Sequence, residues 1–499
     1  MKNKNIKSIL IANRGEIAVR IAKTARKMGI ESIGIRTPKE ANAFYLSQMD
    51  RVLDFPEREK NLVPEFLDIE SLVLLAKRNN IDAIHPGYGY LSENAQFAIR
   101  CTEEGIVFIG PSPRVIQNMG DKVIAKKIAA KGKVPMLGGS NGSVDTLDEA
   151  LKVAEEIGFP LIIKASAGGG GRGMRIVRKK SEMKQMYQSA SSEALSAFNN
   201  ADVFIEKYME NPKHIEIQIA ADTYGNIIHL GERECSVQRK HQKLLEEAPS
   251  PALDEKLRKK MTDAAISLAK EAGYTSLGTV EFLLDNKNNF FFMEMNTRVQ
   301  VEHPVTEMIT GLDLIELQVR IAKGEKLPVT QEDVKLNGWA IECRINAEDV
   351  QSDFTPCVGV IKGFHMPEGE GIRIDKGVIV GSEITPFFDS MIAKLIVHAK
   401  DRKTAIEKTL EALNNFQIRG IKTTIPFDKA VLNNEVFQKG NFDTSFIEKD
   451  LTSVVHREKD EELFAALFSI SHFRKQNEPV EIKQEDSDAW LLKNKINNL

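Results

Sequence analysis

Polar residues occupy every second position between Glu294 and Glu302. If this segment is extended, they share one face, because side chains alternate along a strand. The residues on that face are Glu294, Asn296, Arg298, Gln300 and Glu302. The residues between them would face the core: Met295, Thr297, Val299 and Val301. The same alternation is also typical of an ordinary amphipathic strand with a solvated edge.

A second carboxylate is predicted opposite Glu294. Apolar segments at 280–284 and 290–294 flank a turn-rich stretch, and we expect a hairpin whose two- or four-residue loop is centred between Lys287 and Asn288. This register places Glu281 opposite Glu294, where β carbons lie about 4.5–5.5 Å apart and like charges repel. A divalent cation would relieve that repulsion. The predicted ligands Glu281, Glu294 and Asn296 suit Mg²⁺ or Mn²⁺ shared with substrate phosphates.

A glycine run at 168–173 lies between two strand-like segments. Core packing does not explain it, because each glycine costs conformational entropy and contributes no side chain. Glycines do let backbone N–H groups approach phosphate oxygens closely. A P-loop is excluded because no Gly-Lys-Ser/Thr follows. We expect a glycine-rich hairpin closing over a nucleotide, with Lys164 upstream as a phosphate-binding charge; a floppy turn is the alternative.

A basic segment at 232–243 has two open interpretations, a solvated surface or anion chemistry in a cleft. Its two interleaved glutamates and its lack of aromatic residues argue against RNA binding. The formal net charge of −3 likewise gives no case for nucleic-acid partners. No apolar run approaches membrane-spanning length and the N-terminus lacks a signal-peptide core, so a cytoplasmic location is expected.

The order of elements predicts an α/β fold with two to four domains for 499 residues. A strand at 8–12, a helix at about 15–28 and a strand at 32–35 open the chain in β-α-β style. A strand at 83–84 precedes a helix capped by Ser92 or Asn94 and ending by Gly105. Further strands are expected at 107–109, 160–164 and 174–177. A short amphipathic helix at 462–473 and a polar tail close the chain.

The motifs together resemble the biotin carboxylase family of the ATP-grasp superfamily. The resemblance covers about residues 6–450. It rests on residues 11–17 (Ile-Ala-Asn-Arg-Gly-Glu-Ile), 85–94 (His-Pro-Gly-Tyr-Gly-Tyr-Leu-Ser-Glu-Asn), 164–174, 239–243 (Arg-Lys-His-Gln-Lys), 294–307, 342–348 (Glu-Cys-Arg-Ile-Asn-Ala-Glu) and 388–391 (Phe-Asp-Ser-Met).

Four segments are expected. Three of them are family domains that the resemblance implies: a Rossmann-like N-terminal domain at 1–115, an ATP-grasp domain at 116–330 with a glycine-rich lid at about 136–208, and a β-rich biotin carboxylase C-terminal domain at 336–446. The fourth, a helical and polar tail at 447–499, lies outside the resemblance and is expected from its residues alone. The implied reaction is ATP- and bicarbonate-dependent carboxylation of biotin, through carboxyphosphate, on a separate biotin carboxyl carrier protein.

Site residues also follow from the resemblance. Those expected to hold ATP are Lys122, Lys164, Gly170, Gly171, Glu206, Lys207, Tyr208, Met209, His214, Gln238, His241, Glu281 and Glu294. Those expected to surround bicarbonate and biotin are Lys243, Arg298, Gln300, Val301, Glu302 and Arg344. Among these, Glu302 would be the general base, Arg298 would position bicarbonate, Lys243 would neutralise charge and Arg344 would face the biotin ureido oxygen.

Two features depart from the family pattern or limit what it implies. Residues 34–43 lack a Tyr-Ser-Asp-Ala-Asp stretch, and we expect this segment to lie away from the motifs. No Ala-Met-Lys-Met biotin-attachment motif occurs. A stand-alone subunit is therefore expected, which borrows its carrier, works with a carboxyltransferase subunit and forms a homodimer. Acetyl-CoA, propionyl-CoA and split pyruvate carboxylases all remain open as the parent complex.

Two other functions remain as alternatives. One is a different ATP-grasp ligase that passes through an acyl or carboxy phosphate, such as half of a carbamoyl phosphate synthetase. The other is a nucleotide-binding scaffold that has lost catalysis. The scaffold would predict erosion of Lys243, Arg298 or Glu302, and all three are present.

Overall fold

The N-terminal β-α-β alternation forms a five-stranded parallel sheet with strand order β3-β2-β1-β4-β5. The computed structural model describes residues 4–56, 63–140, 142–165, 174–198, 201–451 and 469–470. The strands are β1 (Ser8–Ile11), β2 (Glu31–Arg36), β3 (Arg51–Asp54), β4 (Ala83–His85) and β5 (Val107–Phe108), and the helices are α1 (Gly15–Lys27), α2 (Ile69–Arg78) and α3 (Ala95–Glu103). The predicted elements of this region are confirmed, and Asn94 rather than Ser92 caps α3 by accepting from the Phe97 N–H.

A small antiparallel sheet follows the N-terminal sheet, and short 3₁₀ helices occur along the chain. The 3₁₀ helices are Pro38–Glu40, Phe44–Gln48, Glu65–Leu67, Lys180–Glu182 and Gln331–Asp333. Helices α4 (Pro113–Gly120), α5 (Lys122–Lys131), α6 (Leu147–Ile157) and α7 (Met183–Phe198) accompany strands β6 (Leu161–Ala165), β7 (Met174–Val177) and β8 (Val203–Lys207). The strand order is β7-β6-β8, and a buried apolar cluster packs α6 and α7 against it.

One eight-stranded sheet carries most of the remaining chain, in the order β13-β12-β9-β10-β11-β14-β21-β19. The strands of this sheet before residue 300 are β9 (Lys213–Ala221), β10 (Ile227–Arg239), β11 (Gln242–Ala248), β12 (Ser276–Leu284) and β13 (Phe290–Asn296). The helices of the same region are α8 (Glu255–Ala272), α9 (His303–Thr310) and α10 (Leu314–Lys323). Helix α8 lies on this sheet over a buried apolar cluster that includes Met261, Leu268 and Phe282.

The C-terminal part extends the same sheet. Its strands are β14 (Trp339–Asn346), β15 (Glu348–Asp349), β16 (Thr355–Pro356), β17 (Gly359–Val360), β18 (Gly363–His365), β19 (Ile372–Lys376), β20 (Glu383–Ile384), β21 (Met391–Ala399) and β22 (Gln417–Arg419), and its helices are α11 (Arg402–Asn415), α12 (Ile425–Asn433), α13 (Glu435–Gln438) and α14 (Phe446–Asp450). Residues 331–335 separate the expected ATP-grasp and C-terminal domains. Because β11 pairs with β14, strands from both sides of this boundary belong to one sheet.

The predicted extension of the polar segment to Glu302 is wrong beyond its first residues. Strand β13 ends at Asn296, and residues 297–302 form an irregular segment that leads into α9. The chain turns there, since the His303 N–H bonds the Gln300 carbonyl and Pro304 occupies the first turn of α9. Val301, expected in the core, is only half-buried.

The expectation that residues 34–43 lie away from the motifs is also wrong. Glu40 accepts from the Arg14 Nε at 2.7 Å, and the Arg14 guanidinium carbon lies 4.1 Å from the centre of the Phe388 ring. The segment therefore contacts the first of the motifs through Glu40, and Arg14 of that motif also contacts the last one.

Two sequence predictions lie outside the described residues: the glycine run at 168–173 and the helix at 462–473, apart from residues 469–470. Within the described ranges, every helix is too short or too polar to cross a membrane.

Candidate active site

A cleft of about 380 Å³ lies between α4–α5, the small sheet and the β12–β13 hairpin. This volume is in the range of pockets that bind small molecules and cofactors. Predicted nucleotide and metal residues line it together with residues not singled out from sequence. The predicted ones are Lys122, Lys164, Glu206, Glu294 and Asn296, and the others include Glu93, Lys126 and Phe204.

The end of the cleft that carries the predicted nucleotide residues is built by β6 and β8. Lys164 lies directly opposite Phe204 in the ladder, and Glu206, two residues further along β8, points to the same face. Glu206 forms ion pairs with Lys164 and Lys126. Burial alone would raise the pKa of Glu206, but the two ammonium groups outweigh it and lower the pKa to about 2. Burial and the neighbouring Lys164 lower the pKa of Lys122.

The other predicted ATP residues have varied positions. Lys207 donates to the Phe159 carbonyl at 2.9 Å, and the Tyr208 N–H bonds the Pro160 carbonyl; Met209 follows them past β8. Gln238 pairs with Lys243 in the β10–β11 ladder, whereas His241 is exposed at the turn of that hairpin. Gly170 and Gly171 lie outside the described residues.

The predicted carboxylate pair is confirmed, because Glu281 and Glu294 are direct partners in the β12–β13 ladder. The predicted loop is wrong. Leu284 pairs with Phe290, so the loop has five residues, 285–289, and an irregularity after Phe292 then shifts the register by one residue. This β-bulge at Met293 leaves Met293 and Glu294 both exposed, while Phe292 and Met295 are buried. The bulge is therefore what turns Glu294 from the core side to the cleft.

The environments of the two carboxylates separate their pKa values. Burial would raise the pKa of Glu281, but Lys243 and His214 outweigh it and hold the pKa well below its usual range. Glu281 accepts hydrogen bonds from Asn296 at 2.5 Å and Gln300 at 2.7 Å, and its other oxygen lies 2.8 Å from His214 Nε2. The enclosing cleft and the charge of Glu281 raise the pKa of Glu294. Two carboxylates and an amide oxygen are the hard donors that Mg²⁺ and Mn²⁺ prefer, so this set fits such an ion.

Lys243 links the carboxylate pair to the predicted base. Its Nζ lies 2.8 Å from a Glu302 oxygen and 3.4 Å from Glu281, and it also forms an ion pair with Glu216. Burial would lower the pKa of Lys243, but these three carboxylates together hold the pKa well above its usual value. Lys243 is therefore a cation that contacts all three carboxylates.

Glu302 and Arg344 face each other beside Lys243. The Arg344 guanidinium donates to the second Glu302 oxygen at 2.9 Å and also pairs with Glu246. Burial would raise the pKa of Glu302, but Lys243 and Arg344 outweigh it and hold the pKa well below its ordinary value. Glu302 is therefore an anion with both oxygens engaged by cations.

The irregular segment after β13 is held by long-range contacts rather than by a ladder. Arg298 donates to Glu93 at 2.9 Å and to the Asn296 amide oxygen at 2.8 Å. Gln300 accepts from Arg233 at 2.5 Å, and the Val301 carbonyl accepts from Lys394 at 2.8 Å. These contacts bring together every predicted bicarbonate residue of the segment without the extended geometry expected of them.

Three site residues were missed from sequence: Glu93, Glu216 and Lys126. Glu93 bonds both the Thr297 N–H and Arg298, although its motif at 85–94 had been recognised. Glu216 lies two residues after His214 on β9, so strand alternation from His214 could have indicated it. Lys126 lies four residues after Lys122 on α5, which is the spacing of one helix face.

Family models match nearly the whole of the described chain. Residues 5–116 match the biotin carboxylase N-terminal domain, residues 121–330 the ATP-binding domain of carbamoyl-phosphate synthase L chain, and residues 342–449 the biotin carboxylase C-terminal domain. The second match describes the central domain that this family shares with carbamoyl phosphate synthetases.

Individual relatives agree with the domain models. A biotin carboxylase of Nostoc sp. is 52% identical over 441 residues, which are 88% of this chain and 98% of the relative. The small subunit of 2-oxoglutarate carboxylase of Hydrogenobacter thermophilus is 46% identical over 93% of this chain and 98% of the relative. The biotin carboxylase domain dimer of that enzyme, solved with MgADP, ADP and bicarbonate, superimposes with a TM-score of 0.86 at 45% identity, covering 91% of this chain and all of the other.

Proposed function

The chain belongs to the biotin carboxylase family, and from that membership we propose how its cleft carries out the family's reaction. The chain is an ATP-dependent ligase that carboxylates biotin with bicarbonate, and the biotin is carried on a separate protein. The observation that carries the residue assignment is the position of Lys243, between the Glu281–Glu294 pair and Glu302. Lys243 thus connects the proposed metal ligand Glu281 to the proposed base Glu302.

The nucleotide is held at two ends in this proposal. Lys122 and Lys164 bind phosphate oxygens. Strand β8 and the residues that follow it support the adenine base of the nucleotide. Glu281, Glu294 and Asn296 hold Mg²⁺ or Mn²⁺, which when bound neutralises charge on the phosphates during transfer. The Asn296 amide oxygen accepts from Arg298 in the absence of an ion, and it would serve as a metal ligand once Arg298 turned to bicarbonate.

Bicarbonate is bound beside Lys243, Arg298, Gln300 and the Val301 backbone. It is a poor nucleophile, so Glu302 removes its hydroxyl proton as an oxygen of bicarbonate attacks the γ-phosphorus. The new P–O bond replaces the bond to ADP, giving carboxyphosphate and ADP. Glu302 has a low pKa while both its oxygens face cations. Bicarbonate shares those cations on binding, which weakens their hold on Glu302 and raises its basicity when it is needed.

Biotin is carboxylated in the second half of the reaction. Cleavage of the C–O bond in carboxyphosphate releases CO₂ and phosphate, and the phosphate takes the ureido N–H proton. The ureido nitrogen then forms the new C–N bond to CO₂. Arg344 stabilises the enolate-like ureido oxygen by exchanging its Glu302 contact for that oxygen. Closure of residues 168–173 over the cleft, which would keep water from the intermediate, remains a sequence prediction.

The partners follow in general terms from the relatives. Stand-alone biotin carboxylase subunits require a biotin carboxyl carrier protein and a carboxyltransferase, and relatives include subunits of pyruvate and 2-oxoglutarate carboxylases. We extend this chain's assignment to a cytoplasmic homodimer, supported by the dimer of the Hydrogenobacter domain. Co-purification of the carrier and transferase would identify the acceptor.

One assay separates this function from another ATP-grasp ligase. Free biotin is expected to stimulate bicarbonate-dependent ADP formation by the purified chain, because biotin consumes carboxyphosphate and restarts the cycle. ADP formation that needs bicarbonate but ignores biotin at every concentration would favour a different carboxy-phosphate ligase.

A further inference from the structure

Helix α5 brings a second lysine to the nucleotide end of the cleft. Lys126 lies one helical turn after Lys122, and their Nζ atoms are 5.3 and 5.4 Å from the centre of the Phe204 ring. Lys164 on β6 lies 5.9 Å from the same centre. Three ammonium groups thus surround one aromatic ring, and their mutual repulsion must be offset by anions nearby.

Glu206 is the carboxylate that separates these lysines. One of its oxygens contacts Lys126 and the other contacts Lys164. The side chain of Glu206 is 12% exposed, whereas Lys126 is 30% exposed and faces the cleft. A carboxylate this enclosed is costly to leave without a partner. Glu206 therefore needs another cation whenever Lys164 turns towards a phosphate.

We infer that Lys126 is a positioning residue of the nucleotide site: it stays paired with Glu206 while Lys164 exchanges that carboxylate for a phosphate oxygen of ATP. The inference rests on the proposed function for the presence of ATP in the cleft. Without Lys126, binding of the phosphates by Lys164 would leave the Glu206 carboxylate without its cation. Part of the free energy of ATP binding would then be lost. Lys126 thus acts on phosphate binding through Lys164, without touching the phosphates itself.

The test compares ligands with and without phosphates. In Lys126→Met, the affinity for MgADP measured by calorimetry falls roughly ten-fold, the order of one charge-assisted hydrogen bond. The affinity for adenosine, measured by competition, changes less than about two-fold, because adenosine leaves Lys164 on Glu206. Lys126→Arg keeps the charge and restores MgADP binding. Lys127→Met removes the exposed neighbouring lysine of the same helix and binds MgADP like the unmodified chain.

A second background isolates the Glu206 pair. In Glu206→Gln there is no carboxylate that could be left without a cation. Adding Lys126→Met to this variant therefore weakens MgADP binding no further. Three results would each overturn the inference. Lys126→Met could lower the affinities for adenosine and MgADP equally, its effect could be fully additive with that of Glu206→Gln, or it could leave MgADP affinity unchanged. These measurements use neither bicarbonate nor biotin. A chain that binds MgADP as described but does not carboxylate biotin would contradict the proposed function and leave the role of Lys126 standing.

Discussion

Glu302 combines two properties that oppose each other in free solution, a low pKa and the proposed role of a general base. Lys243 and Arg344 hold its pKa down in the absence of substrate. The same cations are those that bicarbonate and biotin are proposed to engage. In the proposed mechanism, substrate binding and the basicity of Glu302 are therefore coupled through shared partners, and Glu302 gains basicity only when bicarbonate is in place.

Glu302→Gln tests this residue. Removing a general base lowers bicarbonate-dependent ATP turnover by roughly 10²–10⁴-fold, while the uncharged amide fills the same volume. MgADP affinity serves as the control and stays close to that of the unmodified chain, because the proposed phosphate contacts are made by Lys122 and Lys164. Turnover near the normal rate in this variant would remove Glu302 from the role.

At the scale of elements, β8 and the segment before α6 fix the nucleotide end of the cleft. Gly139 bridges Glu206, and the Ser140 N–H bonds the Ile205 carbonyl at 2.8 Å. A β carbon at Gly139 would lie 2.5 Å from the Ile205 carbonyl oxygen, closer than non-bonded atoms approach. The glycine is required by this close approach of two backbones, and Glu206 is the residue whose position depends on it.

Gly139→Ala is expected to displace β8 and with it Glu206. Overpacking of this kind costs about 1–3 kcal/mol of stability, and we expect MgADP affinity to fall several-fold with it. Thermal unfolding and calorimetry measure the two effects. Gly138→Ala is the matched control, because its β carbon would meet only the Ile157 side chain at 3.4 Å, an ordinary contact. Similar losses in both variants would show that the approach to Ile205 is not what matters.

The hairpin shows how far sequence reasoning reached. The Glu281–Glu294 pair was predicted correctly from a loop that was wrong, because the bulge at Met293 compensates for a five-residue loop. A bulge leaves no signal in composition. The one local sign is that Phe292 is apolar and Glu294 is charged, although residues two apart on a regular strand share one face. Lys126 was missed because no motif includes it, and only the packing of α5 beside β8 brings it to its partner Glu206. The predictable parts were local periodicity and matched motifs; contacts between distant segments were not predictable.

At the scale of the whole molecule, the irregular segment at 297–302 is held by buried charges from the N-terminal, central and C-terminal regions of the chain. Lys394 on β21 is fully buried, donates to the Val301 carbonyl and lies 3.1 Å from Glu16 on α1. Nearby, Glu307 on α9 pairs with Arg20 of α1 and Arg373 of β19, each at 2.7 Å. The C-terminal and N-terminal regions thus position a backbone carbonyl of the central site.

Lys394→Met tests that coupling. Losing the donor leaves the Val301 carbonyl and the Glu16 carboxylate without their cation, so the segment around Val301 loosens. The KM for bicarbonate is expected to rise roughly ten-fold while the KM for ATP stays within about two-fold. Lys400→Met, an exposed lysine just beyond the same strand, is the control. Parallel increases in both constants would indicate general destabilisation instead of a specific effect on bicarbonate.

The central claim is that an oxygen of bicarbonate attacks the γ-phosphorus in this cleft. Turnover of ATP with biotin and ¹⁸O-labelled bicarbonate in unlabelled water tests it most directly, with the inorganic phosphate analysed by mass spectrometry. Attack by bicarbonate transfers one labelled oxygen to each phosphate released, and this is the result we predict. Phosphate that carries no label would mean that water attacks the γ-phosphorus, and it would contradict the account.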